Sequence, residues 1–114
     1  MGRRDKALKE YNKLVRDRIP EIIRQDGKEC GIEEMGEAEF RQALLEKLVE
    51  EAEEAAKAAG KPELVKELAD VFEVIDAILG ACNIPRKTVL TEQARRREAR
   101  GGFEQRLKLL WVDE

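Results

Sequence analysis

The sequence predicts an all-α protein built around an antiparallel pair of long helices. Apolar residues recur at helical spacing over two long stretches, 37–58 and 62–82. Between them, Ala59-Gly60-Lys61-Pro62 joins a helix stop to a helix start, so the chain folds back there. Aromatic residues make up 4% of the chain and charged residues 41%. The apolar content is therefore chiefly Leu, Ile, Val and Ala, which suits helix packing around a modest core. An isolated helix pair cannot bury both of its apolar faces. A homodimer that completes a four-helix bundle is the natural solution.

The 114 residues fit one domain spanning 1–114. Residues 1–10 are densely charged and read as frayed. The next stretch carries Leu14, Val15, Ile19, Ile22 and Ile23. Pro20 suits a first helical position, which predicts a short helix from Pro20 to Gln25, stopped by Asp26-Gly27. Residues 28–35 partly alternate and read as a short extended arm.

The first long helix is expected from Glu37 to Ala58. Phe40, Leu44, Leu48 and Ala55 fall in a narrow arc of its surface, and Glu51 falls inside the same arc. An unpaired buried charge is very costly, so an acid in that arc implies a binding partner. Glu54 borders the arc and Glu50 lies further round. The second long helix is expected from Pro62 to Cys82, with Leu64, Leu68, Val71, Ile75, Leu79 and Cys82 as its main stripe. Glu67 and Asp70 then lie on one flank, together with Val74.

Asn83-Ile84-Pro85 breaks the chain, and a third long helix follows from Arg86 to Arg100, ended by Gly101-Gly102. It carries Arg95, Arg96, Arg97 and Arg100. Residues 103–114 contain Leu107, Leu109, Leu110, Trp111 and Val112, and read as a packed terminal arm.

Two acidic pairs stand out. Glu51 and Glu54 are three positions apart, as are Glu67 and Asp70, so each pair shares a helix face. With a turn at 59–62, Glu54 and Glu67 both lie roughly 9–10 Å from it at about 1.5 Å per residue. Glu51 and Asp70 form a second level one turn deeper. Four facing carboxylates repel unless a cation sits among them, and oxygen-rich sites suit Mg²⁺ or Mn²⁺. Acid-rich helices also match such spacing by chance, because Glu is a strong helix former. For Glu46, Glu53, Glu63 and Glu73 the reading is a solvated helix face.

Cations are also placed to meet phosphate. Lys13, Arg16 and Arg18 surround Asp17, and Lys47 lies one turn before Glu51. A solvated basic face explains many of them; a guanidinium clamp on phosphate is the functional alternative.

The paired motifs Glu50-Glu51-x-x-Glu54 and Glu67-x-x-Asp70 resemble those of the all-α nucleoside triphosphate pyrophosphohydrolases, the MazG-like superfamily. Tyr11 to Ile23 and Arg100-Gly101-Gly102-Phe103 resemble a branch labelled phosphoribosyl-ATP pyrophosphohydrolase-like. The resemblance runs from Tyr11 to Leu110. It implies Glu51, Glu54, Glu67 and Asp70 as Mg²⁺ ligands, with Mn²⁺ as a substitute, and Glu50 as the acid that helps activate water. It also implies cleavage of the α–β phosphoanhydride of a nucleoside triphosphate, a house-cleaning role, and a dimer or dimer of dimers. Arg16 and Arg100 are the expected phosphate contacts because they lie inside the branch motifs; Lys13, Lys47 and Arg97 complete the candidate substrate-binding set. The superfamily's MazG members carry an Asn and a Lys in the helix after the acidic pair. Thr91 to Glu98 has no Asn here, so their nucleotide contacts do not transfer.

Other readings have discriminating features. The chain has no histidine, which removes the Glu-x-x-His motifs of di-iron bundles. A net charge of −3 argues against nucleic-acid binding by bulk electrostatics, although the arginine-rich helix could act locally. A non-catalytic dimerisation or regulatory module would leave Glu51 unexplained. Phosphoribosyl-ATP is the alternative substrate. No apolar run reaches membrane-spanning length, and two cysteines without extracellular features point to reduced thiols in a cytoplasmic protein.

Overall fold

The computed structural model describes residues 8–114, and all of its regular structure is helical: α1 (Ile19–Gln25), α2 (Glu37–Ala56), α3 (Lys61–Ala81) and α4 (Arg86–Arg100). The expected fraying at 1–10 lies largely outside the described residues. Among the described residues, α2 and α3 form the one extensively packed pair of elements. They are joined by residues 57–60, so they form a helical hairpin.

Local chemistry sets each boundary. Pro20 sits in the first turn of α1, and Arg18 pairs with Glu21 across it at 2.8 Å. Gly27 ends α1 with φ 81°, a left-handed conformation that Gly adopts without steric cost. Glu37 and Glu39 lie in the first turn of α2, where negative charge favours the helix dipole. α2 stops two residues earlier than its periodicity predicts. The chain tightens there as Lys57 N–H and Ala58 N–H donate three residues back, to Glu54 and Ala55. Glu63 holds the connection: its carboxylate accepts the Ala59 N–H at 2.6 Å. That is a reach-back from the first turn of α3, similar in logic to a capping box. Glu63 is thus a cap rather than only a solvated acid.

The core is small. Leu44 on α2 and Val74 on α3 are its buried apolar residues, at 3% and 8% exposure. Phe40, Leu48 and Ala55 are half-buried on α2, as the arc predicts. α3 is rotated from the expected orientation. Val74 packs deepest, with Val71, Ile75 and Ile78 beside it, while Leu64 and Leu68 stay exposed and Cys82 lies at the exposed end. The face first read as a flank, Glu67-Asp70-Val74, is therefore the one turned to α2.

Residues 28–35 form no regular element. One further expectation, the packing of the terminal arm, is corrected. The terminal segment is not packed: Phe103, Leu107 and Trp111 are 95%, 84% and 76% exposed. Among the described residues, no part of the chain covers these side chains.

Candidate functional site

Rotation of α3 brings acids from both helices together. One carboxylate oxygen each from Glu51, Glu67 and Asp70 can lie within 4.8 Å of one another, and all three residues are half-buried. Glu51 is the most enclosed, its side chain only 13% exposed, because its arc faces α3. Glu54, expected as the fourth ligand, is exposed and stands outside this trio. Its position at the edge of the arc carries it past the interface, although its charge still acts on Glu67.

The electrostatics record the crowding. The Glu67 carboxyl is raised above its ordinary value, first by partial loss of solvent and then by the negative charges of Asp70, Glu54, Glu51 and Glu63. Raised proton affinity in an acid among acids marks a place where positive charge is favoured.

The amino-terminal segment closes over the trio. Arg16 donates from Nη2 to Asp70 Oδ1 at 2.7 Å. Lys13 Nζ lies 3.5 Å from Glu50 Oε2. Asn12, at φ 47°, makes the turn that precedes this segment, a conformation Asn tolerates better than most residues. On α2, Lys47 donates to Glu50 Oε1 at 2.9 Å and lies 3.7 Å from Glu51 Oε2. Charges therefore alternate from Lys13 through Glu50 and Lys47 to Glu51, then across the trio to Asp70 and Arg16. The Lys47 hydrogen bond holds the Glu50 carboxyl below its ordinary value, against the opposing effect of partial burial, and the charge of Lys13 adds to it.

A cleft of about 370 Å³ opens beside this network. Asn12, Lys13 and Leu14 form one wall, and α2 forms the other through Gln42, Lys47 and Glu50. Lys47 and Glu50 thus face both the cleft and the acidic cluster.

Of the expected substrate-binding residues, Lys13, Arg16 and Lys47 gather here. Among the described residues, Arg97 and Arg100 do not join them. Both lie on α4, which packs extensively on neither hairpin helix. Arg97 pairs instead with Glu104 at 2.5 Å. Asn12 and Gln42 were not singled out by the sequence. Asn12 adjoins the Lys13 motif, but nothing in the spacing marked Gln42 as a cleft residue.

The residues fit a hard divalent cation. The trio offers only oxygen donors, and its members mutually repel when ionised. No protein-family model matches the chain, and comparisons with curated proteins and with solved structures find no match.

Proposed function

We propose that this protein is a Mg²⁺-dependent nucleotide pyrophosphohydrolase of the MazG-like kind, cleaving the α–β phosphoanhydride to release a nucleoside monophosphate and pyrophosphate. One observation carries the reading: Glu51, Glu67 and Asp70 meet across two helices while lysines stand at the adjoining cleft. The acids would hold the cation, with Glu54 close enough to modulate it; Mn²⁺ shares the same oxygen preference. A bound Mg²⁺ supplies charge neutralisation of the polyphosphate and acidification of water.

The chain's own residues supply the rest. Lys13 and Lys47 sit where phosphate oxygens enter from the cleft, and both are engaged by Glu50. When they turn to phosphate, Glu50 loses the interactions that depress its basicity and becomes a better proton acceptor. Arg16, paired with Asp70, would be free to meet phosphate where Asp70 held the cation. Binding and catalysis are then one rearrangement of ion pairs.

The reading includes a cytoplasmic setting, in keeping with two free cysteines. No described helix is long and apolar enough to cross a membrane. It also includes a homodimer or dimer of dimers, since each hairpin helix keeps a second apolar face: Leu45 and Val49 on α2, Leu64, Leu68 and Phe72 on α3.

The test is pyrophosphate release with Mg²⁺ and a panel of standard, deoxy, damaged and phosphoribosyl nucleotides. Glu51→Gln should abolish release while circular dichroism shows an intact fold. An active Glu51→Gln protein would remove Glu51 from the ligand set, and silence of the wild type on every nucleotide would defeat the reading.

A further inference from the structure

The carboxy-terminal third of the chain is built but unpartnered. α4 is tethered at its start by an Arg86–Asp76 ion pair. At its end, Gly101 takes φ 85° and the Arg97–Glu104 pair closes over Gly102. A Cβ on Gly102 would lie 2.6 Å from both an Arg97 guanidinium nitrogen and a Glu104 carboxylate oxygen. Arg106, at φ 57°, donates its N–H to Phe103 O at 3.1 Å. The chain thus leaves α4 through a defined turn. Beyond it Leu107, Leu109, Leu110, Trp111 and Val112 are all 71–84% exposed.

The surface area shows how much is left uncovered. The chain exposes 10737 Å². A folded monomer of 13.0 kDa is expected to expose about 6,300 Å². Its radius of gyration is 19.7 Å, against about 13 Å for a compact chain of this length. An ordinary partner covers only about 800 Å² per side. An excess on the order of 4,000 Å² matches in scale the extensive contact of an obligate assembly.

Charge selects the occupant. Residues 37–81, the hairpin, carry 12 acidic and 5 basic residues; residues 82–112 carry 3 acidic and 8 basic. Each part therefore complements the other in sign, and each has apolar surface to cover. Within one chain they are held apart. A second copy satisfies both at once, because a two-fold exchange is closed and leaves neither surface over.

We infer that α4 and the terminal arm of one copy dock on the α2–α3 hairpin of a second copy, reciprocally. The exchange specifies how the proposed homodimer is made, and so rests on that part of the reading but not on the reaction. It also delivers the α4 arginines to the partner's acidic hairpin, on which α4 does not pack extensively within its own chain.

Trp111 is the only tryptophan, so its emission reports the arm directly. The experiment is sedimentation velocity of the full chain with Trp emission and acrylamide quenching across a dilution series, for the wild type and Leu110→Asp. The wild type should be dimeric or larger with blue-shifted, shielded emission, and dilution should dissociate it and expose Trp111 together. Leu110→Asp should weaken association on the order of 30-fold or more with helicity unchanged. A dimer with solvent-exposed Trp111, indifferent to Leu110→Asp, would overturn arm exchange and leave a dimer of another kind. A monomer with shielded Trp111 would place the arm on its own chain and overturn the exchange. A monomer with exposed Trp111 at every concentration would overturn both the exchange and the dimer.

Discussion

The α2–α3 hairpin and the carboxy-terminal third use the same materials to different ends. Both contain regular helix, and both carry many apolar side chains. In the hairpin, Leu44 and Val74 lose nearly all contact with solvent. In the terminal segment, Leu109 and Leu110 retain 79% and 78% of theirs. The charges differ too. Hairpin acids are crowded against one another and answered by Lys13, Arg16 and Lys47. Arg95, Arg96 and Arg97 on α4 are answered within their own neighbourhood, by Glu92 and Glu104. Helix formation is a local property, whereas burial and charge crowding need a second element, and only the hairpin has one within the chain.

Substitution at Leu44 should break this contrast most severely. Leu44→Ala is expected to cost about 2–5 kcal/mol, read as a lowered urea midpoint. Leu110→Ala, at dilutions where the chain is monomeric, should shift stability by less than about 0.5 kcal/mol. Equal losses at the two positions would mean that the arm belongs to the same cooperative core as the hairpin.

A middle-sized effect is expected at Glu67. Its raised carboxyl means that the folded chain binds that proton more tightly than the unfolded chain does. The resulting stabilisation is complete below the unfolded value and is lost as pH rises through the folded one. At neutral pH the ionised trio therefore weakens the metal-free hairpin. Glu67→Gln should raise the metal-free Tm at pH 7 by a few degrees and remove the rise expected from Mg²⁺ in the wild type. A lower metal-free Tm in the variant would show that Glu67 supports the hairpin rather than burdens it.

Arg16 should have the smallest effect on stability. Its pair with Asp70 is largely exposed, at 58% and 40%, and such pairs contribute at most about 1 kcal/mol. Arg16→Ala should leave Tm nearly unchanged while tightening Mg²⁺ binding in calorimetry, because Asp70 is released. Weaker Mg²⁺ binding would instead make Arg16 a residue that positions Asp70.

Much of this contrast was legible in the chain itself. Periodicity and breakers located all four helices within two residues at each end. Glu51 in an apolar arc correctly signalled an enclosed acid, since Leu44, Leu48 and Glu51 share the face of α2 that turns to α3. α3 was less readable. It has apolar residues on two faces, Val71-Val74-Ile78 and Leu64-Leu68-Phe72, and periodicity does not rank them. Of the stripe expected inside, Val71, Ile75 and Leu79 are half-buried, while Leu64, Leu68 and Cys82 remain at the surface. Glu63 had a readable signal, a first-turn acid beside a helix start, and its capping role follows from that position. For the arm, apolar content implied burial but did not specify which chain provides it.

The amino-acid sequence by itself determined the helices, the turn between the long pair and the spacing of the acids along each. These depend on dihedral preferences, capping and the 3.6-residue period, all of which act within a few residues. Tertiary structure decided the rotation of α3 about its own axis. Through that rotation it selected Glu51, Glu67 and Asp70 as the acids that converge and left Glu54 at the edge. It also brought Arg16 to Asp70, 54 positions away in the chain. Helical periodicity says which residues share a face, but only packing against another surface decides which face is turned inward.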